Sequence, residues 1–169
     1  MRYGTRTHCH RRWTRQGCRP VCRVKLGYEW SYLYVALCPF TGDTCAWFLS
    51  HLDKTCFAFF LTQLQDHLRQ KGRGKVLLLG DGATAHTAQY WPDYEVNWQR
   101  LPTACPELNP VERFFQVLRQ QTANKVFDNK QQVENFLGQL VQQYQQQPDK
   151  IKQLTCFPYI IKGAYTKQY

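Results

Sequence analysis

Asp81 closes the apolar run V-L-L-L-G (76–80), and only the small residues Gly82, Ala83, Thr84 and Ala85 separate it from His86. Glu112 follows about thirty residues later, at the end of P-E-L-N-P-V-E (106–112). Two carboxylates delivered to one place offer hard oxygen donors suited to Mg²⁺ or Mn²⁺. Paired-ion sites of that kind catalyse in-line phosphodiester displacement, activating the attacking oxygen and stabilising the leaving one. Each acid also has a plainer reading. Asp81 could cap a short helix starting near Thr84, and Glu112, three residues after Asn109, could return a hydrogen bond to that cap.

The surrounding pattern favours elements that would carry the acids to one edge. V-L-L-L-G has the continuous apolar character of a strand covered on both faces, as inside a mixed or parallel sheet. Residues 94–101, Y-E-V-N-W-Q-R-L, alternate as a further strand, with the polar, helix-compatible H-T-A-Q-Y-W (86–91) and Pro92 between the two. Asn109, Pro110 and Glu112 supply a cap, a first-turn proline and a first-turn acid for a helix whose core stripe is Val111, Phe114, Phe115 and Leu118. Glu112 lies off that stripe, on a face with Gln116 and Arg119. If residues 76–80 and 94–101 are neighbouring strands, both carboxylates open at one sheet edge, where functional groups collect in α/β folds.

Elsewhere, 28–38 and 44–50 read as a strand hairpin, and 5–13 and 20–26 as a basic hairpin around Gly17 and Pro20. Phe57, Phe60, Leu61, Leu64 and Leu68 make one helical stripe, ended by Gly72 and Gly74. Val133, Phe136, Leu137, Leu140, Val141 and Tyr144 make another. The expected architecture is an α/β domain with a mixed sheet over residues 1–147, leaving 148–169 as an unassigned tail.

The formal net charge is +10 over 169 residues. Its distribution is uneven: Arg2, Arg6, Arg11, Arg12, Arg15, Arg19, Arg23 and Lys25 precede the first acid, Glu29. A basic arm interleaved with Tyr3, His10 and Trp13 suits a polyanion, because each phosphate neutralised releases condensed counterions. Arginine predominates, and its forked donors match phosphate. The bland alternative is a solvated charged arm. No stretch is apolar enough to span a bilayer and the N-terminus lacks a signal-like segment, so the expected location is the cytoplasm, in association with the nucleoid.

Five of the eight cysteines sit in or beside apolar runs, which suggests reduced, buried thiols. His8, Cys9, His10, Cys18 and Cys22 do not follow a common zinc spacing. A hydrolase using Cys105 and His86 lacks any accompanying oxyanion loop or orienting acid.

G-D-G-A-T-A-H (80–86), followed by L-P-T-A-C-P-E-L-N-P-V-E-R-F-F-Q-V-L-R (101–119), resembles the bacterial insertion-sequence transposases of the mariner superfamily, the DDE endonucleases. R-R-W-T-R-Q-G-C-R-P (11–20), Y-E-W-S-Y-L-Y-V-A-L-C-P-F-T-G-D-T (28–44) and N-K-V-F (124–127) extend the resemblance over nearly the whole chain. It implies a ribonuclease H-like fold and metal-dependent DNA cleavage and strand transfer with two Mg²⁺ or Mn²⁺ ions. Asp81 would be the second acid of a triad and Glu112 the third, both metal ligands, with His86 and Asn109 in support. Glu107 would be peripheral. Thr103-Ala104-Cys105 departs modestly from the family's P-Y-S.

Candidate DNA contacts are Arg6, Arg11, Arg12, Arg15, Arg19, Arg23 and Arg119. Expected partners are double-stranded DNA at transposon ends and target, a second copy of the chain, and a separate N-terminal transposase polypeptide. The last follows from the family's first acid, which would precede the R-Y-G-T-like segment and so fall before Met1; residues 1–28 contain no acid. The family's helix-turn-helix region would likewise be expected before Met1. The expectation is a catalytic domain impaired by loss of its first acid, and the alternative is a non-catalytic DNA-binding remnant.

Overall fold

The computed structural model describes residues 1–83, 85–86 and 94–165. The helix-compatible segment 86–91 and a helix start at Thr84 therefore lie outside the described residues, apart from His86 itself. Strands β1 (Arg2–Gly4), β2 (Trp30–Leu37) and β3 (Thr44–Leu49) form an antiparallel sheet in that order. Helix α1 (Lys54–Gln70) leads to β4 (Val76–Gly80), which pairs in parallel with β5 (Val96–Arg100). A single helical turn at Pro106–Leu108 precedes α2 (Pro110–Thr122), α3 (Lys130–Gln145), α4 (Pro148–Thr155) and α5 (Pro158–Tyr165). Among the described residues, then, five α-helices accompany two sheets. None of those helices is long and apolar enough to cross a membrane.

Strand β2 organises the packing because its side chains alternate between two layers. Leu33, Val35 and Leu37 face a core built with Phe114, Phe115 and Leu118 of α2, Val133, Leu137 and Val141 of α3, and Ile151 of α4. Tyr32, Tyr34 and Ala36 face the second core, where Phe57, Phe60, Leu61 and Leu64 of α1 meet Leu78 and Trp98. The expected helical stripes thus become the two walls of the sheet. Residues 148–165 form α4 and α5, and Ile151 is completely buried.

Three expectations change. The sheet is not one continuous mixed sheet, because no described strand joins β2 to β4. Strand β4 is not covered on both faces: Leu78 packs toward α1, whereas Leu77 and Leu79 on the opposite face are 56% and 42% exposed. An unbroken apolar run cannot distinguish one covered face from two when the neighbouring layer ends beside it. The basic hairpin is no ladder either. Residues 5–29 leave β1 and return to β2 as an irregular arm, tied at its root by Thr5 N–H to the Glu29 carbonyl and Thr7 N–H to the Lys25 carbonyl. Its outer part is solvated, with Trp13 and Val21 almost fully exposed, so no apolar face exists for paired strands to bury.

Asn124, in the turn between α2 and α3, anchors this arm. Its backbone is left-handed (φ 58°). Its N–H donates to the His8 carbonyl at 2.8 Å, its Oδ1 accepts from His10 N–H at 3.0 Å, and its carbonyl accepts from Arg12 at 3.3 Å. An alanine there would lose the Oδ1 acceptor and strain the backbone, each effect costing about 1 kcal/mol. Asn124→Ala is therefore expected to speed limited tryptic cleavage within the arm by roughly ten-fold or more. Asn124→Gly, free of the strain, should fall between it and the parent; equal rates for all three would remove Asn124 as the anchor.

Only Cys45 among the cysteines is buried, and burial pushes its thiol up to about 11. Cys38, Cys56, Cys105 and Cys156 are half-buried, because the apolar runs holding them lie at the margins of the layers.

Candidate active site

The end of β4 and the start of α2 converge on one cleft. It has a volume of about 300 Å³, and its lining includes Asp81, His86, Asn109 and Glu112 together with Met1. The parallel pairing of β4 with β5, Gly80 opposite Arg100, brings the chain from the Asp81 loop back toward the α2 entry. Gly80 is needed by close approach: a Cβ there would sit 2.1 Å from the Trp98 ring. Trp98 in turn lies edge-on to His86, whose other neighbour is Phe57 at 4.3 Å between centroids.

Asp81 is held in an Asx-type turn, its Oδ1 accepting from Ala83 N–H at 3.1 Å and lying 2.9 Å from His86 Nδ1. His86 is mostly buried, its side chain 16% exposed, while that of Asp81 is 66% exposed. A wedged imidazole thus orients an open carboxylate. Asn109 caps α2, its Oδ1 accepting from Val111 N–H at 3.3 Å. The reciprocal half of a capping box is not made: Asn109 N–H donates to the Pro106 carbonyl, and Glu112 instead meets Arg119 at 3.3 Å. Glu112 is 34% exposed, so it faces the cleft rather than the helix end. Arg119 also lies over the Phe115 ring at 6.0 Å.

Asp81 Oδ2 and Glu112 Oε1 accept no hydrogen bond from a described residue. Each carboxylate is therefore fixed through one oxygen and open through the other, a donor set that fits a hard divalent cation. The two acids and His86 do not form a closed three-ligand cluster. That arrangement accords with Mg²⁺, which keeps several waters and takes one or two carboxylates plus phosphate oxygens from a substrate. The only compact group of three among the described residues is His51, Asp53 and Cys56, where Asp53 caps α1 by accepting from Cys56 N–H at 2.8 Å. His8, Cys9, His10, Cys18 and Cys22 are not gathered in this way.

The Met1 amine is a member of the cleft that the sequence reading missed. It donates to the Leu33 carbonyl at 2.6 Å, and Leu33 N–H donates back to the Met1 carbonyl. Burial lowers its pKa from 8.0 to about 5; Glu112 and Asp81 pull the other way and Arg119 adds to the lowering. In the unfolded chain the amine protonates as pH falls through 8, whereas the folded chain resists protonation until about 5. Stability is therefore fullest above pH 8 and declines toward pH 5, by up to ~4 kcal/mol at 1.36 kcal/mol per pKa unit. Thermal melts at pH 8 and pH 5.5 should differ more for the free amine than for the N-acetylated chain. Identical differences would exclude this group as the source.

Of the seven candidate DNA contacts, Arg6, Arg11, Arg12, Arg15, Arg19 and Arg23 are exposed on the arm, and Arg119 pairs with Glu112. A simple signal could have revealed the Arg119 pairing: Glu112 and Arg119 are separated by two helical turns on one face.

Comparison with known proteins bears on the fold and the family. An uncharacterized protein, y4pE/y4sA, of Sinorhizobium fredii (strain NBRC 101917 / NGR234) is 29% identical over 105 residues, covering 58% of this chain and 73% of that protein. The fold matches a Mos1 transposase paired-end complex with left transposon end at a TM-score of 0.63 and 19% identity, over 90% of this chain and 50% of that one. A pre-cleavage Mos1 transpososome matches at 0.62 and 17% identity, again over 90% of this chain and 51% of the other. The chain thus spans about half the length of the solved chains it resembles. Residues 1–134 match the family model described as DDE superfamily endonuclease, and the chain belongs to that family.

Proposed function

We propose that this chain is a DDE transposase catalytic domain of ribonuclease H-like type, acting on double-stranded DNA by metal-dependent phosphodiester cleavage and strand transfer. The observation that carries the reading is the cleft itself. Asp81 and Glu112, from a strand end and a distant helix start, line one opening, and each keeps an oxygen that accepts no hydrogen bond from a described residue. Asp81, steadied by His86, and Glu112, presented by the Asn109-capped start of α2, would hold Mg²⁺ or Mn²⁺. The bound ion would supply activation of the attacking oxygen and neutralisation of charge at the phosphate. The chain's own residues position and neutralise: His86 fixes the Asp81 rotamer, Arg119 offers a cation beside Glu112, and the arm arginines receive the DNA backbone.

Among the described residues, Asp81 and Glu112 are the carboxylates that line the cleft. The second reading is a DNA-binding module without cleavage, favoured by the Arg119–Glu112 pair occupying the place of a cation. Supercoiled plasmid incubated with the purified chain in Mn²⁺ at low salt separates them. Nicking that chelation abolishes supports the enzyme; salt-sensitive retention of intact plasmid supports the module.

A further inference from the structure

A second set of metal-binding side chains stands apart from the carboxylates of the cleft. His51, Asp53 and Cys56 lie in H-L-D-K-T-C (51–56), where the chain leaves β3 and enters α1. Their donor atoms, one from each residue, all lie within 4.8 Å of one another. Zn²⁺ held tetrahedrally at about 2.0–2.3 Å from each ligand spaces its donors about 3.3–3.8 Å apart, so small side-chain rotations close the triangle. His51 and Asp53 are exposed and Cys56 is half-buried, which leaves one side open for water at a fourth position.

The backbone that carries these groups is already fixed. The Tyr34 hydroxyl donates to the His51 carbonyl at 2.9 Å, tying the loop to β2. Asp53 caps α1, its Oδ1 accepting from Cys56 N–H at 2.8 Å, which sets the carboxylate beside the first helical turn. His51 Nδ1 lies 2.8 Å from Ser50 Oγ; when that nitrogen donates, Nε2 keeps the lone pair that an ion needs. The Asp53 carboxyl is held below its ordinary range, first by Cys56 N–H and further by the Cys56 thiol and the charge of His51, so the three groups already interact. This donor set differs in kind from Asp81 and Glu112. Two hard oxygens suit Mg²⁺, whereas a thiolate and an imidazole beside one carboxylate suit a borderline ion. We propose that His51, Asp53 and Cys56 form a Zn²⁺ site, with three protein ligands and one water, at the entry to α1. On binding, Cys56 coordinates as the thiolate and its proton passes to solvent. The ion would staple the loop to the first turn of α1, where Leu52 and Phe57 reach the cleft wall and Phe57 packs on His86 at 4.3 Å. The site stands on its own donors and not on the proposed function.

The test uses the intact, reduced chain with Zn²⁺ or Co²⁺ alone, in excess Mg²⁺ to occupy the carboxylates of the cleft. Co²⁺ should produce a thiolate-to-cobalt charge-transfer band that saturates at one ion per chain, and Zn²⁺ should displace it. Zn²⁺ affinity, measured against a chromophoric chelator, should fall at least about 100-fold in His51→Ala and Cys56→Ser and at least about ten-fold in Asp53→Asn. Asparagine keeps the helix cap, serine keeps nearly the volume of Cys56, and His51 is exposed, so all three should melt near the parental temperature without metal. Zn²⁺ should raise the parental melting temperature and leave that of His51→Ala unchanged. An arm variant, His8→Gln with Cys9→Ser, Cys18→Ser and Cys22→Ser, should bind as the parent does. Absence of the cobalt–thiolate band overturns the proposal. So does an affinity that the three loop variants leave untouched, or one that the arm variant abolishes, which would place the ion on the arm.

Discussion

Asp81→Asn and Glu112→Gln are each expected to reduce Mn²⁺-dependent nicking by at least about 100-fold. The size follows from removing a charge that holds the ion: Lewis-acid stabilisation is worth several kcal/mol, and each 1.36 kcal/mol is a factor of ten. The substitutions are shaped to leave the fold alone. Asparagine keeps an acceptor for Ala83 N–H, and glutamine keeps the length of a side chain that lies off the buried stripe of α2. Melting temperatures should therefore move little, since neither residue is in either core. Calorimetric Mn²⁺ binding gives a second readout, which should weaken in both variants. Wild-type nicking by either variant, at equal purity, would show that these acids do not carry the reaction.

Replacing Arg6, Arg11, Arg12, Arg15, Arg19 and Arg23 together by glutamine should abolish most of the affinity for duplex DNA. Each phosphate contact contributes about −0.9 to the slope of log K against log salt, so six contacts predict a slope near −5 that the variant loses. At about 0.1 M salt the loss of affinity should reach roughly 100-fold or more. Only Arg12 among them has a side-chain hydrogen-bond partner in the described residues, the Asn124 carbonyl, and all six are exposed, so little folding energy is at stake. An unchanged slope would reduce the arm to a solvated excursion. The two variants also report separately: the arm variant should bind Mn²⁺ normally, and Asp81→Asn should bind DNA with the parental salt slope.

The sequence made the helices legible because their stripes are long and the start of α2 is explicit. Asn109 accepts from the first turn of α2, and the stripe from Phe57 to Leu64 is buried as its spacing requires. The β2–β3 hairpin and the neighbouring strands β4 and β5 were equally readable from alternation and turn residues. What could not be read were relations between distant segments. Leu77 and Leu79 carry no mark to say that the layer beside them stops, and the arm's arginines and turn residues imitate a hairpin while its tether, Asn124, lies a hundred residues away. At the site, Asp81 and Glu112 were recognisable as acids at an element boundary. The pairing of Glu112 with Arg119 follows from their two-turn spacing on one helix face, whereas the entry of Met1 into the cleft depended on packing that local spacing does not encode.

Helix α2 links two things otherwise distant, since Glu112 lies in its first turn and Asn124, holding the arm, lies just past its last. Twelve residues of helical rise make a rod of about 18 Å. At 3.4 Å per base-pair step that is a stride of about five base pairs. The helix would then act as a ruler, setting how far along a duplex the point of attack lies from the place where the backbone is first gripped.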